Sequence, residues 1–292
     1  MEGQAKDSTR MKGKAAILDL MRKFSRRGWR ANCIAGLFSG ALKCIRPRKD
    51  VALENLRLAF PGSTGEWRSE TVKKCYKHLS WMAAEYLSVV SAPEQVLSWV
   101  DEVEGKEILD DAKRSGTGTI ILTGHIGNWE LLAAWLAQSG YPLTAVVRNP
   151  DDPNLAGLIE EYRARVGMDT FEKHFVMKDA IRFAKKGGFL GLLPDQAWNA
   201  SGVHSPFLGR MCYTAKGPAA MAEMAGVPVI PVVSYRTAPF RHKVIISPPV
   251  VMAVGGSREE RLYENTIRMN RTIEKMILRC PEQWLWFHRR WK

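Results

Sequence analysis

The octapeptide Thr123-Gly124-His125-Ile126-Gly127-Asn128-Trp129-Glu130 sets an imidazole and a carboxylate five residues apart, with glycines on both sides of the histidine. An imidazole titrates near neutrality and is the commonest general base, and a nearby carboxylate can orient it and stabilise its charged form. Five residues of regular helix turn through about 500°, which would leave the two side chains roughly 140° apart. The pair therefore meets only if His125 lies in the turn before a helix and Glu130 in that helix's first turn. Asn128 is then the helix N-cap. Glu130 lies near the positive end of the helix dipole, and Gly127 is free to adopt a conformation that other residues avoid.

Several chemistries are excluded by pattern. Zinc proteases place histidines at i and i+4 around a glutamate, and the chain has no such helix. It has no Gly-x-Ser-x-Gly elbow, and no Gly-rich dinucleotide or P-loop pattern follows a strand. With no protein nucleophile in the turn, the base most simply activates a substrate hydroxyl, and acyl transfer from a thioester to an alcohol is such a reaction.

The elements around this turn read as a strand and a helix. Thr119-Ile120-Ile121-Leu122 is a buried strand, and Leu131 to Ala137 is a helix ending before Gly140. Strand ends in α/β folds are where sites are built. From Gly116 the chain alternates, with strands at Thr119–Thr123, Leu143–Val147, Phe189–Leu193 and Val227–Val233, and an outer strand at Val244–Val251. Helices are expected near 128–138, 153–166, 177–186 and 214–225, and a last long one carries Met269, Ile273, Met276 and Ile277. Upstream, Val51 to Phe60 reads as a short helix or turn, Val72 to Val89 as an amphipathic helix, Lys106 to Arg114 as a helix and Val100 to Val103 as a strand. This pattern predicts one α/β domain with a central, mostly parallel mixed sheet covered by helices.

The formal charge is +13 and the pI about 9.6, which calls for an acidic partner. Residues 1–50 hold 13 Lys/Arg against four acids, so most of the excess is N-terminal. Ile17, Leu18, Met21 and Phe24 recur at helical spacing among arginines and lysines. The uncharged stretch Ala31–Leu42 is only 12 residues long, too short to span a bilayer, which takes about 20. Residues 1–45 are therefore expected to form a basic, membrane-associating arm lying in the headgroup layer, or else a helix packed on the domain at 46–292. Trp284, Trp286 and Trp291 with Arg289 and Arg290 have a composition that could stack bases, but no RNA-binding motif accompanies them and nucleic acid is not expected as a partner. These tryptophans read instead as packing against the main domain or as interfacial aromatics. Five scattered cysteines show neither metal-ligand spacing nor a disulfide framework.

Gly124-His125-Ile126-Gly127-Asn128-Trp129-Glu130 resembles the signature of the late acyltransferases of lipid A biosynthesis, the lauroyl and myristoyl transferases. These lie within the glycerolipid acyltransferases that carry His-x4-Asp or His-x4-Glu. The likeness runs from about Arg46 to the end. It takes in Asn55-Leu56 with Phe60-Pro61, Val147-Arg148, Leu193-Pro194-Asp195-Gln196, Pro206-Phe207-Leu208-Gly209 with Thr214 and Gly217, and the closing run from Pro281 to Lys292. The resemblance implies a glycerolipid acyltransferase-like fold, with His125 as base and Glu130 holding its imidazolium. An acyl-carrier-protein thioester would be the donor and a lipid A precursor hydroxyl the acceptor, with no cofactor and no metal. The place of work would be the cytoplasmic face of a bacterial inner membrane, held peripherally or monotopically. Other acceptors remain open, among them a lysophospholipid, an ornithine lipid or a phosphoinositol mannoside, and so does a non-catalytic lipid-binding role.

Gly127 and Asn128 join four further substrate-binding candidates. Arg148 follows a strand, where a cation could steady a lipid phosphate or a developing oxyanion, or pair with Asp151 or Asp152. Arg163 is a second phosphate ligand or part of a solvated helix face. Asp195 ends a strand at the same sheet edge, as a supporting or acceptor contact or a simple cap. Thr214-Ala215-Lys216-Gly217 opens a helix whose free N–H groups could take an anion, or Thr214 is a plain N-cap. The chain departs from the family's pattern at Phe207-Leu208-Gly209, where Phe-Phe-Gly is more usual, and at Trp198–His204. Both are expected to bear on acceptor or chain-length selectivity.

Overall fold

The computed structural model describes residues 28–147, 153–172 and 177–291. Its elements are α1 (Gly28–Ile45), α2 (Lys49–Ala59), α3 (Gly65–Ser91), α4 (Gln95–Trp99), β1 (Val100–Glu104), α5 (Lys106–Arg114), β2 (Thr119–Leu122), α6 (Trp129–Gln138), β3 (Leu143–Val147), α7 (Pro153–Val166), β4 (Asp169–Glu172) and α8 (Met177–Lys185). There follow β5 (Phe189–Leu192), β6 (Val203–Phe207), β7 (Arg210–Thr214), α9 (Gly217–Ala225), β8 (Val229–Ala238), β9 (Arg241–Ile246), α10 (Arg258–Arg279) and a 3-10 turn at Pro281–Gln283.

Every residue of β2 and of β5 is buried, as unbroken apolar strands covered on both faces should be. They lie in a seven-stranded sheet of order β1-β9-β8-β2-β5-β3-β4. From β8 to β4 all neighbours are parallel, while β9 turns back antiparallel to β8 and pairs parallel with β1. Side chains alternate across the sheet. Ile120 and Leu122 enter one core with α9, α10 and the C-terminal tryptophans, and Ile121 enters the other with α4, α5 and α6. The expected mixed, mostly parallel α/β fold is therefore the observed one.

The differences are local. Of the helix or turn expected at Val51–Phe60, the helix is observed, as α2 with Phe60 its C-cap. Asp169–Glu172, too polar to read as a strand, pairs on the sheet edge as β4. The outer strand is Arg241–Ile246 rather than Val244–Val251, because Phe240 at φ 55° closes a tight turn from β8. Residues 203–214 form a separate two-stranded hairpin. Its turn is Leu208-Gly209, both at positive φ (47° and 74°), the geometry of a two-residue hairpin turn that matches strand twist. Leu208 is buried and its N–H donates to Glu274 on α10 at 2.8 Å, so the departure at Leu208 falls in a turn packed on a helix.

Within α1, Ile34 and Ala35 pack on Ala84 and Leu87 of α3. The opposite face leaves Cys33, Leu37, Ala41, Cys44 and Ile45 exposed, and Leu37 and Ile45 are about 70% accessible (68% and 72%). No helix among the described residues is long and apolar enough to cross a membrane. The more basic part of the expected arm, residues 1–27, lies outside the described residues. Trp284 and Trp286 are buried in the core, so these two pack against the domain. All five cysteines are free thiols.

Candidate active site

Leu122 of β2 pairs in register with Leu192 of β5. His125 and Asp195 each lie three residues past that pair, so two neighbouring parallel strands deliver both to the same carboxyl edge of the sheet. The imidazole Nδ1 lies 2.8 Å from Asp195 Oδ1. The backbone N–H of His125 and the indole N–H of Trp284 each donate to Oδ2 at 2.8 Å. Gly124 makes room for this contact, since a Cβ there would stand 3.2 Å from the Asp195 carboxyl.

The Asp195 side chain is 1% exposed and that of His125 21%. Burial alone would raise the Asp195 carboxyl, but the charge of His125 and the three hydrogen bonds outweigh it and hold it at about 2. For His125, burial works against the cation. Asp195, through charge and hydrogen bond, and then Glu130, through charge, more than offset this and leave its pKa above the usual imidazole value. With Asp195 ionised, Nδ1 keeps its proton and donates it. Nε2 then presents a lone pair, and its neighbour is the Gln196 side-chain amide at 3.3 Å. This is the tautomer a base requires.

Glu130 is in the first turn of α6, as the spacing requires, but no hydrogen bond joins it to the imidazole among the described residues. Its carboxylate stands 3.8 Å from Arg163 on α7, and Tyr162 donates to its backbone carbonyl at 3.0 Å. Burial pushes the Glu130 carboxyl up, opposed by Arg163 and then His125. The carboxylate hydrogen-bonded to His125 is thus Asp195 and not Glu130, whose effect on the imidazole is through charge alone.

Asn128 is the N-cap of α6: Oδ1 accepts from the Leu131 N–H at 3.0 Å. Its amide donates to Glu85 of α3 at 2.7 Å. Both ends of this buried side chain are therefore engaged inside the protein, and Asn128 shapes the turn. Gly127 has φ 58°, and a Cβ there would come within 1.6 Å of the Ser234 carbonyl oxygen, so only glycine fits. Thr214 ends β7 instead of capping a helix. The cap position of α9 is Lys216, without a side-chain bond, and the Thr214 hydroxyl accepts from Arg290 at 2.6 Å and Asn270 at 3.1 Å. Arg148 lies outside the described residues.

Three further groups of residues support the turn, the first two from stretches that carry the family resemblance and the third not singled out by the sequence. The first is the C-terminal segment. The Gln283 carbonyl accepts from Gly127 N–H at 2.8 Å, and Leu285 N–H donates to the His125 carbonyl at 3.0 Å. The second is Asn55 of α2, whose amide donates to the carbonyls of Trp286 and His288 at 2.7 and 2.6 Å and so holds that segment down. The third is a buried cluster on Glu85. Its carboxylate pairs with Arg236 and lies 3.1 Å from His242 Nε2. His78 Nε2 meets the Gly127 carbonyl at 3.0 Å. The closing run from Pro281 is thus a clamp on the His125 turn.

With this geometry in hand, similarity to known proteins is informative. The model of the family described as bacterial lipid A biosynthesis acyltransferase matches residues 14–292. A lipid A biosynthesis palmitoleoyltransferase of Escherichia coli (strain K12) is 25% identical over 271 residues, covering 89% of this chain and 84% of that protein. A lauroyltransferase of the same pathway and organism is 27% identical over 267 residues, 90% and 85% of the two chains. A phosphatidylinositol mannoside acyltransferase of Mycobacterium tuberculosis (strain ATCC 25618 / H37Rv) matches less, 24% over 139 residues, 44% of this chain and 42% of that protein. An imidazole held by a buried carboxylate at a sheet edge, with the family match running over nearly the whole length, leads to one assignment: the chain belongs to the bacterial lipid A biosynthesis acyltransferase family and is an O-acyltransferase.

Proposed function

We propose that the protein moves a fatty acyl group from an acyl-carrier-protein thioester to a hydroxyl of a lipid A precursor, with His125 as general base. The observation that carries this reading is the Asp195–His125 contact at 2.8 Å, which in the neutral imidazole keeps the proton on Nδ1 and leaves Nε2 as the basic nitrogen. The acceptor hydroxyl takes the place of the Gln196 amide and gives its proton to Nε2 as its oxygen attacks the thioester carbonyl. The tetrahedral oxyanion collapses, the C–S bond breaks, and the departing thiolate recovers the proton from the imidazolium. Asp195 keeps the Nδ1 proton in place, and the charge of Glu130 favours the imidazolium.

Arg163 borders this site with its side chain 11% exposed, and its Nε is buried without a partner. Such a guanidinium suits a lipid phosphate, the role that the sequence also suggests for Arg148. Membrane attachment is supported by the exposed apolar face of α1 and the basic charge preceding it. That combination fits peripheral binding at the cytoplasmic face of the inner membrane. Replacing Leu37 and Ile45 together by aspartate is expected to shift the protein from the membrane to the soluble fraction. Unchanged sedimentation with membranes would remove α1 as an anchor.

The deciding experiment offers purified enzyme a labelled acyl carrier protein and a panel of acceptors: a lipid A precursor, a lysophospholipid, an ornithine lipid and a phosphoinositol mannoside. Turnover is expected with the lipid A precursor, and His125→Ala is expected to lower kcat by about 10²–10⁴. Transfer to a lysophospholipid or the mannoside alone would replace the acceptor. A His125→Ala enzyme as fast as the wild type would end the base assignment.

A further inference from the structure

A second concave surface lies away from the His125 turn, between α10 and the segment 247–251, with a volume of about 540 Å³. Its floor is apolar, from Val233 and Tyr235 of β8, Ile245 of β9 and Met276 of α10. One rim carries Arg268, Arg271, Lys275 and Arg279, spaced three, four and four residues apart on a single face of α10. Over 11 residues this row is about 16 Å long. Arg268 is engaged by Glu264 and the Val251 carbonyl, and Arg279 lies 5.9 Å from the Tyr235 ring. Arg271 and Lys275 are exposed and have no ion pair among the described residues.

A row of cations beside an apolar trough is complementary to a ridge that is apolar along its crest and acidic along its flank, as on an acidic amphipathic helix. A single phosphate would use one or two of these cations, and a flat bilayer would not enter a trough. The groove also adjoins the site from behind. Tyr235 on its floor follows Ser234, whose carbonyl oxygen is the atom packed against Gly127, two residues from His125. We propose that this α10 groove is the docking surface for the acidic carrier protein that brings the acyl thioester. The inference rests on the carrier-bound donor named above and assigns that donor a place.

The test is the triple variant Arg271→Glu, Lys275→Glu, Arg279→Glu, assayed with two donors: the acyl carrier thioester and the same acyl group on uncharged N-acetylcysteamine. All three side chains are exposed, so an unchanged thermal unfolding curve is the control for folding. KM for the carrier-bound donor is expected to rise at least about tenfold and to lose its dependence on salt, with the N-acetylcysteamine thioester used as before. An unchanged KM for the carrier-bound donor would overturn the docking proposal alone. So would an unchanged KM accompanied by lost binding to vesicles of phosphatidylglycerol and phosphatidylcholine, which would make the groove a membrane contact. Wild-type enzyme that takes no acyl group from the carrier would overturn the donor assignment and the docking surface together.

Discussion

Asp195→Asn is expected to lower kcat by about 10²–10⁴ while leaving the protein folded. The reason lies in the proton on His125. An ionised carboxylate only accepts, so Nδ1 must donate and Nε2 must be bare. An asparagine can turn its NH₂ toward Nδ1, which reverses the tautomer and protonates the nitrogen that should act as base. The pH dependence separates this from mere loss of packing. His125 works as a base only when neutral, so kcat/KM rises as pH rises through its pKa. Burial pulls that pKa down, and Asp195 with Glu130 more than offsets it, which puts the wild-type acid limb above the ordinary imidazole value. Removing the Asp195 charge should move the limb to lower pH.

Glu130→Gln should move the limb in the same direction by less, because Glu130 contributes only charge at a distance and ranks behind Asp195 among the causes. A profile in which Glu130→Gln shifts the limb as far as Asp195→Asn, with Asp195→Asn fully active, would return the partnership to the His-x4-Glu pair. Unfolding curves taken alongside matter for Asp195→Asn, since Oδ2 also receives the Trp284 indole.

Local features of this site were readable from the chain because the residues concerned are neighbours in sequence. Asn128 as N-cap, Gly127 as the one residue tolerated in its place, and Glu130 in the first helical turn all follow from eight consecutive positions. The strand-helix alternation around them was equally plain, since β2 and β5 are apolar throughout and demand cover on both faces. The His125–Asp195 contact is of another kind. It depends on β2 lying beside β5 with Leu122 opposite Leu192, and strands separated by two intervening strands in the chain give no local sign of such pairing. One signal was available: Asp195 and His125 each follow an apolar strand by the same offset. The hairpin at 203–214 has little local signature for a related reason. Pro206 interrupts its first strand, and its turn is Leu208-Gly209 in place of the usual Asn-Gly or Asp-Gly. Glu85 is harder still, one of three glutamates in α3 and 40 positions before the site it supports.

Glu85→Ala is expected to destabilise the fold by about 3–5 kcal/mol, the cost of stranding a buried charge. Glu85 is fully buried, and its partner Arg236 has a side chain only 7% exposed. Arg236 cannot reach water when the carboxylate is removed, and its Nε and Nη2 already lack partners. The same carboxylate accepts from Asn128 and from the Phe240 N–H at 3.3 Å, so the cap of α6 and the β8–β9 turn both loosen. Activity should fall with stability, since α6 begins one residue after Asn128. Glu85→Gln retains the shape and an acceptor for Asn128 and should cost less. Acid titration gives a second reading. Burial raises the Glu85 carboxyl, but His242 and Arg236 outweigh it and hold it at about 2. A depressed carboxylate stabilises the fold above the ordinary carboxylate pKa, and that stability is lost as pH falls towards 2. His78 works in the same direction from higher pH. Burial, with the charge of Arg236, lowers it to about 3. Below pH 6.5 the unfolded chain takes a proton that the folded one refuses, and stability declines as pH drops. Chemical unfolding at several pH values should therefore show the wild type losing stability continuously from about pH 6.5 downward, and His78→Gln flattening the upper part of that slope. A Glu85→Ala protein as stable as the wild type would mean that Arg236 finds water or another anion, and that the buried cluster does not hold the turn.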